Sequence, residues 1–145
     1  MDTTNLATHT LTRTLLVELR SVDGSTVPVP TELSYDSSDP YALTVCFYLH
    51  DGPVPWTFAR ELLSGGLVEP TGDGDVHVWP CLDDDGFAVV AVELCSPHGN
   101  ALVEIRAADV VDFVEHTHVI VAPGKETAHL DVDTAINAFW ASDNA

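Results

Sequence analysis

Basic residues are scarce in this 145-residue chain: five lysines and arginines stand against 23 acidic residues, and only Lys125 is a lysine. Nonspecific nucleic-acid binding needs several cations that neutralise phosphates and release counterions, and four scattered arginines do not form such a patch. The formal net charge of −18 also repels anionic lipid headgroups. The composition therefore predicts no nucleic-acid partner. Simple solubility explains the charge, which also favours neutral or basic protein partners.

Long apolar runs are missing as well. No stretch approaches the ~20 apolar residues of a membrane helix, and the first ten residues, MDTTNLATHT, have neither the basic nor the apolar region of a secretory signal. The three cysteines, Cys46, Cys81 and Cys95, lack CxxC spacing and lie in apolar, strand-like segments. A free thiol in such a segment behaves as a small hydrophobe. We therefore expect reduced core thiols in a cytoplasmic protein, with no membrane insertion.

The chain also lacks the familiar patterns of catalytic and metal sites. It has no GxSxG nucleophile turn, and the run 72–74 (GDG) places an acid where a bound phosphate would lie. His116 and His118 would share a face of a strand and could bind zinc there. The apolar spacing of residues 110–114 instead predicts a helix, on which the two imidazoles point apart. The sequence predicts no enzyme, no metal and no cofactor.

Two kinds of apolar spacing run through the remaining chain and predict an α+β fold. Alternation with a period of two indicates strands, and apolar pairs at i,i+4 indicate helices. Pro28 and Pro30 cannot donate ladder hydrogen bonds, so their segment is predicted to be a sheet edge or a linker. Strands are predicted at 15–19, 32–35, 42–50, 67–69, 75–79, 87–95 and 101–106, and helices at 56–64, 108–117 and 131–142.

The segment 87–94 is apolar on both faces. A small antiparallel sheet normally has one wet face, so each face of this strand needs a cover. Helices can cover one face. The other is covered either by a second subunit or by N-terminal strands that curl over and close a barrel, and the pattern alone leaves both open. In the first case Val90, Val92 and Leu94 are candidate oligomer-interface residues.

Two adjacent aromatic residues, Phe139 and Trp140, lie in the last predicted helix. Because tryptophan is enriched at the energetic centres of interfaces, these two are candidate partner-binding residues. Packing of the same side chains in the protein's own core is an equally good interpretation.

Four segments resemble the core of the SsgA-like proteins, the actinomycete family that controls sporulation-specific cell division. They are Val29-Pro30, Tyr35 followed by 39–42 (DPYA), 56–63 (WTFARELL) and 72–78 (GDGDVHV), in the order the family has them. The resemblance extends from about residue 15 to residue 140. It implies one SsgA-like domain, placed at 11–142. Residues 1–10 are polar and aperiodic, so we expect them to form a flexible N-terminal tail.

The resemblance also implies an architecture. We expect a strongly bent antiparallel sheet, or sheets, with about three helices on one side, similar to whirly and guide-RNA-binding proteins. The family's assembly implies a homotrimer in which sheets meet around a central axis and helices lie outside.

The implied function is non-enzymatic regulation of sporulation-specific cell division, with no catalytic residues to transfer. The protein would place the septum or recruit the division machinery by contacting the tubulin-like septum protein FtsZ or another SsgA-like protein, in the cytoplasm at division septa. A whirly-like sheet also suggests an alternative, a module that binds single-stranded nucleic acid, which the net charge of −18 disfavours.

Overall fold

A computed structural model describes residues 9–130. Eight strands form one antiparallel sheet in the order β4-β3-β2-β1-β8-β7-β6-β5. The strands are β1 (Thr10–Arg20), β2 (Thr26–Asp36), β3 (Ala42–Leu49), β4 (Gly52–Ala59), β5 (Thr71–Asp73), β6 (Val76–Leu82), β7 (Ala88–Ser96) and β8 (Gly99–Arg106). The helices in this part of the chain are α1 (Arg60–Gly65), α2 (Ala107–Ile120) and a 3₁₀ helix (Glu126–His129). None of them is both long and apolar enough to cross a bilayer.

The sheet curls strongly into a half-barrel. Phe47 of β3 and Trp56 of β4 line the same cavity as Leu94 of β7 and Val103 of β8, although β1 and β2 lie between these strand pairs. The curl is permitted because β1 and β8 pair over only three residues, Glu18–Arg20 with Leu102–Glu104, where the two halves of the sheet diverge. The expected bent antiparallel sheet is therefore confirmed.

Side chains alternate strictly between the two faces of the sheet. In β1 the odd-numbered residues point to the core, with Val17 1% exposed, and the even-numbered residues point away from it. Inward residues pair with inward residues on the neighbouring strands: Val17 pairs with Val29, and Leu33 with Val45. We call the inward side the core face and the other side the open face. The core face holds Val17, Val29, Leu33, Tyr35, Leu43, Val45, Phe47, Phe58, Val76, Val78, Val90, Val92, Leu94, Val103 and Ile105.

The helices pack on the core face. Helix α2 follows β8 without a loop and buries Val110, Phe113 and Val114 in the same cluster as the inward strand residues. The helix predicted at 108–117 is thus confirmed, and it continues to Ile120. The residues of the helix predicted at 131–142, with Phe139 and Trp140, lie outside the described residues, as does most of the predicted tail. The strand β1 begins at Thr10.

Two predicted elements around α1 are wrong. The helix expected at 56–64 begins only at Arg60, since Trp56 pairs with Val45 and continues strand β4. Phe58 and Leu62 have the i,i+4 spacing of a helix although they belong to different elements. Phe58 lies near the end of β4 and Leu62 in the first turn of α1, and both face the core. The strand expected at 67–69 is a turn whose amides bond back to carbonyls of α1, and the strand comes later, at Thr71–Asp73.

Contrary to the prediction, Pro28 and Pro30 lie neither on an edge strand nor in a linker, because β2 is an inner strand between β1 and β3. Strand β2 is longer than predicted, and Pro28 and Pro30 lie in its first half, paired with Glu18 and Leu16 of β1. On its other side β2 pairs with β3 only at Thr31–Ser34. The proline residues therefore lie where β2 has one partner instead of two, and a missing N–H leaves no gap in a ladder.

A substitution at Gly66 tests how closely α1 packs on the sheet. A methyl group at this position would overlap Cγ1 of Val78 and lie 3.0 Å from the carbonyl oxygen of Leu62. We expect Gly66→Ala to lower the free energy of unfolding by about 1–3 kcal/mol, the usual cost of overpacking, with an unchanged slope in urea denaturation. Val68→Ala is the control, because Val68 is 80% exposed. An unchanged urea midpoint for Gly66→Ala would contradict the packing.

Candidate protein-interaction surface

In the described part of the chain, the open face of the half-barrel carries no helix. Its outward residues are exposed along most of β1 and in the first half of β2, whereas the inward residues Val17 and Val29 are buried in the core. A sheet with one face packed and one face free is usual for antiparallel strands. Exposed positions on this face include Thr12, Thr14, Leu16, Glu18, Pro28, Pro30, Tyr48, Pro53, Pro55, Thr57, His77 and Arg106.

Four apolar residues form a continuous line across the open face of strands β1 to β4. Leu16 pairs with Pro30, and Tyr48 pairs with Pro53. Tyr48 also lies beside Pro30, because it follows Phe47, the partner of Thr31. Leu16 is 64% exposed and Tyr48 is 46% exposed. We call Leu16, Pro30, Tyr48 and Pro53 the apolar stripe. Contiguous exposed apolar residues, unlike scattered ones, mark sites of protein contact.

In the other half of the open face, a buried ion pair joins β8 to β1. Glu104 is 7% exposed in the middle of β8, and Arg20 donates to its Oε2 from Nη2 at 2.9 Å and from Nε at 3.1 Å. Arg20 also donates to the carbonyl of Gly24 at 2.8 Å, which fixes the β1–β2 turn. A carboxylate this deeply buried needs such a partner, since an unpaired charge would be costly. The pair holds the point where the two halves of the sheet meet.

Strand β7 is covered on both faces by its own chain. Val90, Val92 and Leu94 are 0%, 2% and 3% exposed in the core. On the open face, Val89 and Ala91 are 4% and 2% exposed between neighbouring strands. The three candidate interface residues are therefore not at the surface of this chain. The alternative of N-terminal strands curling over the core fits the contacts, because Leu94 shares its cavity with residues of β1 to β4.

The cysteines differ from the expectation of core thiols. Cys46, Cys81 and Cys95 are free and half-buried, and all three have the register of the open face. Burial raises the pKa of Cys81 and of Cys95, so these two side chains are held as neutral thiols. The alternation of the strand residues could have predicted the outward position of Cys46, because it lies between the core residues Val45 and Phe47.

The arginines do not form a row for nucleic acid on this face. Each described arginine faces a partner within its own chain. Arg13 lies 3.5 Å from Asp112, Arg20 bonds Glu104, Arg60 bonds Glu126, and Arg106 lies over the ring of Phe87. Nonspecific strand binding would need several of these charges to face phosphates instead.

Arg60 donates three buried hydrogen bonds and was missed by sequence reasoning. It is 2% exposed where β4 passes into α1. Its Nη1 donates to the carbonyls of Thr117 and Val121 at 3.2 and 2.8 Å, at the carboxyl end of α2. The carbonyl of Thr117 also accepts from the amide of Val121, and a cation at this end of the helix complements the helix dipole. Its guanidinium lies 5.1 Å from the ring centre of Tyr35.

The second nitrogen of Arg60 binds Glu126. Nη2 donates to Oε2 of Glu126 at 2.8 Å, and the amide of Gly124 donates to Oε1 at 2.9 Å. The pKa of Glu126 is lowered, first by a hydrogen bond from its own backbone amide and then by the hydrogen bond from Arg60. The 3₁₀ helix is also joined to the start of β3 by a 2.9 Å bond between Tyr41 and Thr127 hydroxyls. The segment after α2 is thereby fixed to the sheet.

The histidine pair lies on α2, as predicted. Nδ1 of His116 donates to the carbonyl oxygen of Asp112, one turn earlier, at 2.7 Å. His118 is half-buried, and burial together with the charge of Arg60 lowers its pKa. Among residues 9–130, no three side chains of His, Cys, Asp or Glu are grouped so that they could hold a metal ion.

Comparisons with known proteins agree with this fold. A family model described as "Streptomyces sporulation and cell division protein, SsgA" matches residues 29–126. A sporulation-specific cell division protein SsgB from Salinispora tropica is 47% identical over 128 residues, covering 86% of this chain and 89% of its own. The SsgB protein of Streptomyces coelicolor is 44% identical over 118 residues, covering 81% and 85%.

Two solved structures have the same fold, each with a TM-score of 0.80. One, from work on SsgB mutations that correlate with longitudinal division during sporulation of Streptomyces coelicolor, is 41% identical and covers 85% of this chain and 97% of its own. The other, an SsgA-like protein of Thermobifida fusca, is 35% identical and covers 90% and 96%. The curled sheet and the matched sequence define an SsgA-like half-barrel. The chain belongs to the SsgA family of sporulation and cell division proteins, as the resemblance predicted.

The Arg60–Glu126 pair predicts a specific pH dependence of stability. Because the pKa of Glu126 is lowered on folding, its carboxylate stabilises the fold above its ordinary pKa of 4.5, and this contribution is lost as the pH falls through the folded-state pKa. Glu126→Gln should therefore lower the free energy of unfolding at about pH 7 and have a much smaller effect at about pH 3. Urea denaturation at both pH values measures this.

The control is Glu69→Gln, because Glu69 is exposed in the turn after α1. It should leave the unfolding free energy nearly unchanged at both pH values. A loss for Glu126→Gln that is equal at the two pH values would contradict an ionised role for this carboxylate.

Proposed function

We propose that this protein is a non-enzymatic regulator of sporulation-specific cell division that acts by binding other proteins through the open face of its sheet. Its relatives are named sporulation-specific cell division proteins. The observation that carries the proposal is the apolar stripe, which crosses four strands on the side that α1 and α2 leave uncovered. The helices and the core stabilise the fold, and the open face is left for contact.

The first partner is a further copy of the same chain, in a homotrimer. Packing of open faces around an axis would cover Leu16 and Tyr48 and leave α2 at the outside. This replaces Val90, Val92 and Leu94 as interface candidates, since these residues are buried within one chain. An oligomer displays its remaining surface several times, so weak contacts combine into a strong attachment by avidity.

The further partners are cell-division proteins, either FtsZ or another SsgA-like protein, met in the cytoplasm at division septa. The net charge of −18 favours neutral or basic contact surfaces on them. Attachment at repeated sites would place or recruit the division machinery without any chemical step. The nucleic-acid alternative is not favoured, because the described arginines already have partners within the chain.

Substitutions in the apolar stripe test the homotrimer. Leu16→Glu and Tyr48→Glu place charges on the open face without touching the core, so they should dissociate the assembly while leaving the fold intact. Light scattering on a size-exclusion column should give about three times the 15.6 kDa chain mass for the unaltered protein and a single chain mass for the variants. Val119→Glu is the control, since Val119 is 85% exposed on α2. A monomeric unaltered protein would refute the homotrimer.

A cellular experiment tests the functional part. In a sporulating actinomycete that lacks its own gene for this protein, expression of the unaltered chain should restore regular septa, and a fluorescent fusion should collect at them. Tyr48→Glu should fail in both respects and Val119→Glu should succeed. Normal septation in the absence of the protein would contradict the proposed role.

A further inference from the structure

A cavity of about 330 Å³ lies on the open face, between the β6–β7 turn and strands β1 and β8. The turn reaches over the sheet here, because Oδ1 of Asp84 lies 3.6 Å from Nη2 of Arg20. We call this cavity the acidic pocket, since its carboxylates outnumber its two guanidiniums by three. The carboxylates belong to Glu18, Asp83, Asp84, Asp85 and Glu104.

Glu104 presents a buried oxygen to the acidic pocket. The residue is only 7% exposed, and both hydrogen bonds from Arg20 reach the same oxygen, Oε2. Its other oxygen, Oε1, accepts no hydrogen bond from any residue between 9 and 130. Buried polar atoms in folded proteins nearly always have a hydrogen-bond partner, and a carboxylate can accept at both oxygens. Oε1 is therefore an acceptor for a donor that enters the pocket.

The two arginines of the acidic pocket already have partners. Arg20 bonds Glu104, and the guanidinium of Arg106 lies 4.7 Å from the centre of an aromatic ring. Glu18 and Asp85, by contrast, are exposed and form no ion pair within residues 9–130. A cation that enters the pocket can thus meet these two carboxylates without displacing an existing pair.

The β6–β7 turn holds its carboxylates in place before any partner binds. Oδ1 of Asp83 accepts from the amides of Asp85 and Phe87, each at 2.9 Å. The amide of Asp83 in turn donates to the carbonyl of Phe87 at 2.9 Å. Groups that are fixed before binding lose little conformational freedom when a ligand arrives. The acidic pocket is therefore largely preformed.

The chain has no arginine left to fill the acidic pocket of another copy. All five basic residues lie within residues 9–130, and each of the four arginines faces a partner in its own chain. Only Lys125 remains, exposed before the 3₁₀ helix. A guanidinium offers five donors in one plane, which suits several carboxylates, and Leu16 and Val89 of the pocket suit its methylene stem. Charge and shape thus favour an arginine from a different protein.

We propose that the acidic pocket binds an arginine side chain of a partner protein, whose guanidinium donates to Oε1 of Glu104 and to the carboxylates of Glu18 and Asp85. This rests on the proposed function and gives the partner's contact residue a chemical class. The pocket lies on β1, β8 and the β6–β7 turn, whereas the apolar stripe crosses β1 to β4. The two share only Leu16, so contact between copies and arginine binding can occur side by side.

Titration of the ¹⁵N-labelled full-length protein with acetyl-argininamide tests this site. Two-dimensional ¹H–¹⁵N spectra should show saturable shifts of the amides of residues 18, 84, 85 and 104. A probe this small is expected to bind with a millimolar dissociation constant. Acetyl-citrullinamide is the matched control, because it has nearly the same shape without the charge, and it should cause no saturable shift.

Two double variants localise the binding. Glu18→Gln/Asp85→Asn removes two carboxylates of the acidic pocket that have no partner in the described chain, and it should weaken acetyl-argininamide binding about fivefold. Asp109→Asn/Glu115→Gln changes the net charge equally at exposed positions of α2 and should leave the affinity unchanged.

The other outcomes overturn the proposal. Equal shifts with acetyl-citrullinamide, or an unchanged affinity in Glu18→Gln/Asp85→Asn, would show that the pocket does not bind a guanidinium. Shifts spread equally over α2 and the pocket would show only a general attraction of cations to an acidic protein.

Light scattering on the same samples separates this proposal from the homotrimer. If acetyl-argininamide dissociated the assembly, the cation in the pocket would come from a second copy and not from another protein, which would contradict the proposal. An assembly that does not bind acetyl-argininamide would refute the arginine site alone. A single chain that binds it would refute the homotrimer alone.

Discussion

The buried guanidinium of Arg60 is the contact on which the arrangement of this protein depends. It joins the end of β4 to the last carbonyls of α2 and to the carboxylate of Glu126, with Tyr35 packed against it. Removing one member of a buried ion pair is costly because the other charge is left unpaired. Arg60 therefore keeps α2 and the chain after it on the core face.

The position of the helices also determines which face of the sheet is exposed. Because both α-helices within residues 9–130 pack on the core face, neither covers the open face of the eight-stranded sheet, where Leu16 of β1 and Tyr48 of β3 are exposed. The ion pair of Arg20 with Glu104 stabilises that face where β1 and β8 are joined by only three residue pairs. The core face thus stabilises the chain, and the open face is the surface through which we propose that the protein binds its partners.

Much of this could be predicted from sequence, and the failures have physical reasons. Alternation located β3, β7 and β8, and the resemblance supplied the bent sheet and the family. The start of α1 was misplaced because Phe58 and Leu62 both face the core from different elements. The candidate interface residues Val90, Val92 and Leu94 are buried within the chain, because a curled sheet can cover both faces of β7 with its own strands. The role of Arg60 could not be predicted from the residues around it in the sequence. Its partners are backbone carbonyls and a carboxylate 57 to 66 residues away.

The reactivity of Cys46 tests the central claim most directly, because this thiol lies on the open face of β3, two residues from Tyr48. Alkylation of the native protein by iodoacetamide, followed by mass spectrometry, measures how fast Cys46 is modified in the assembly and in the Tyr48→Glu variant. If open faces meet, Cys46 should be modified slowly in the unaltered assembly and rapidly in the variant. Equal rates in a protein whose assembly is verified by its mass would contradict the account and place the contact on another surface.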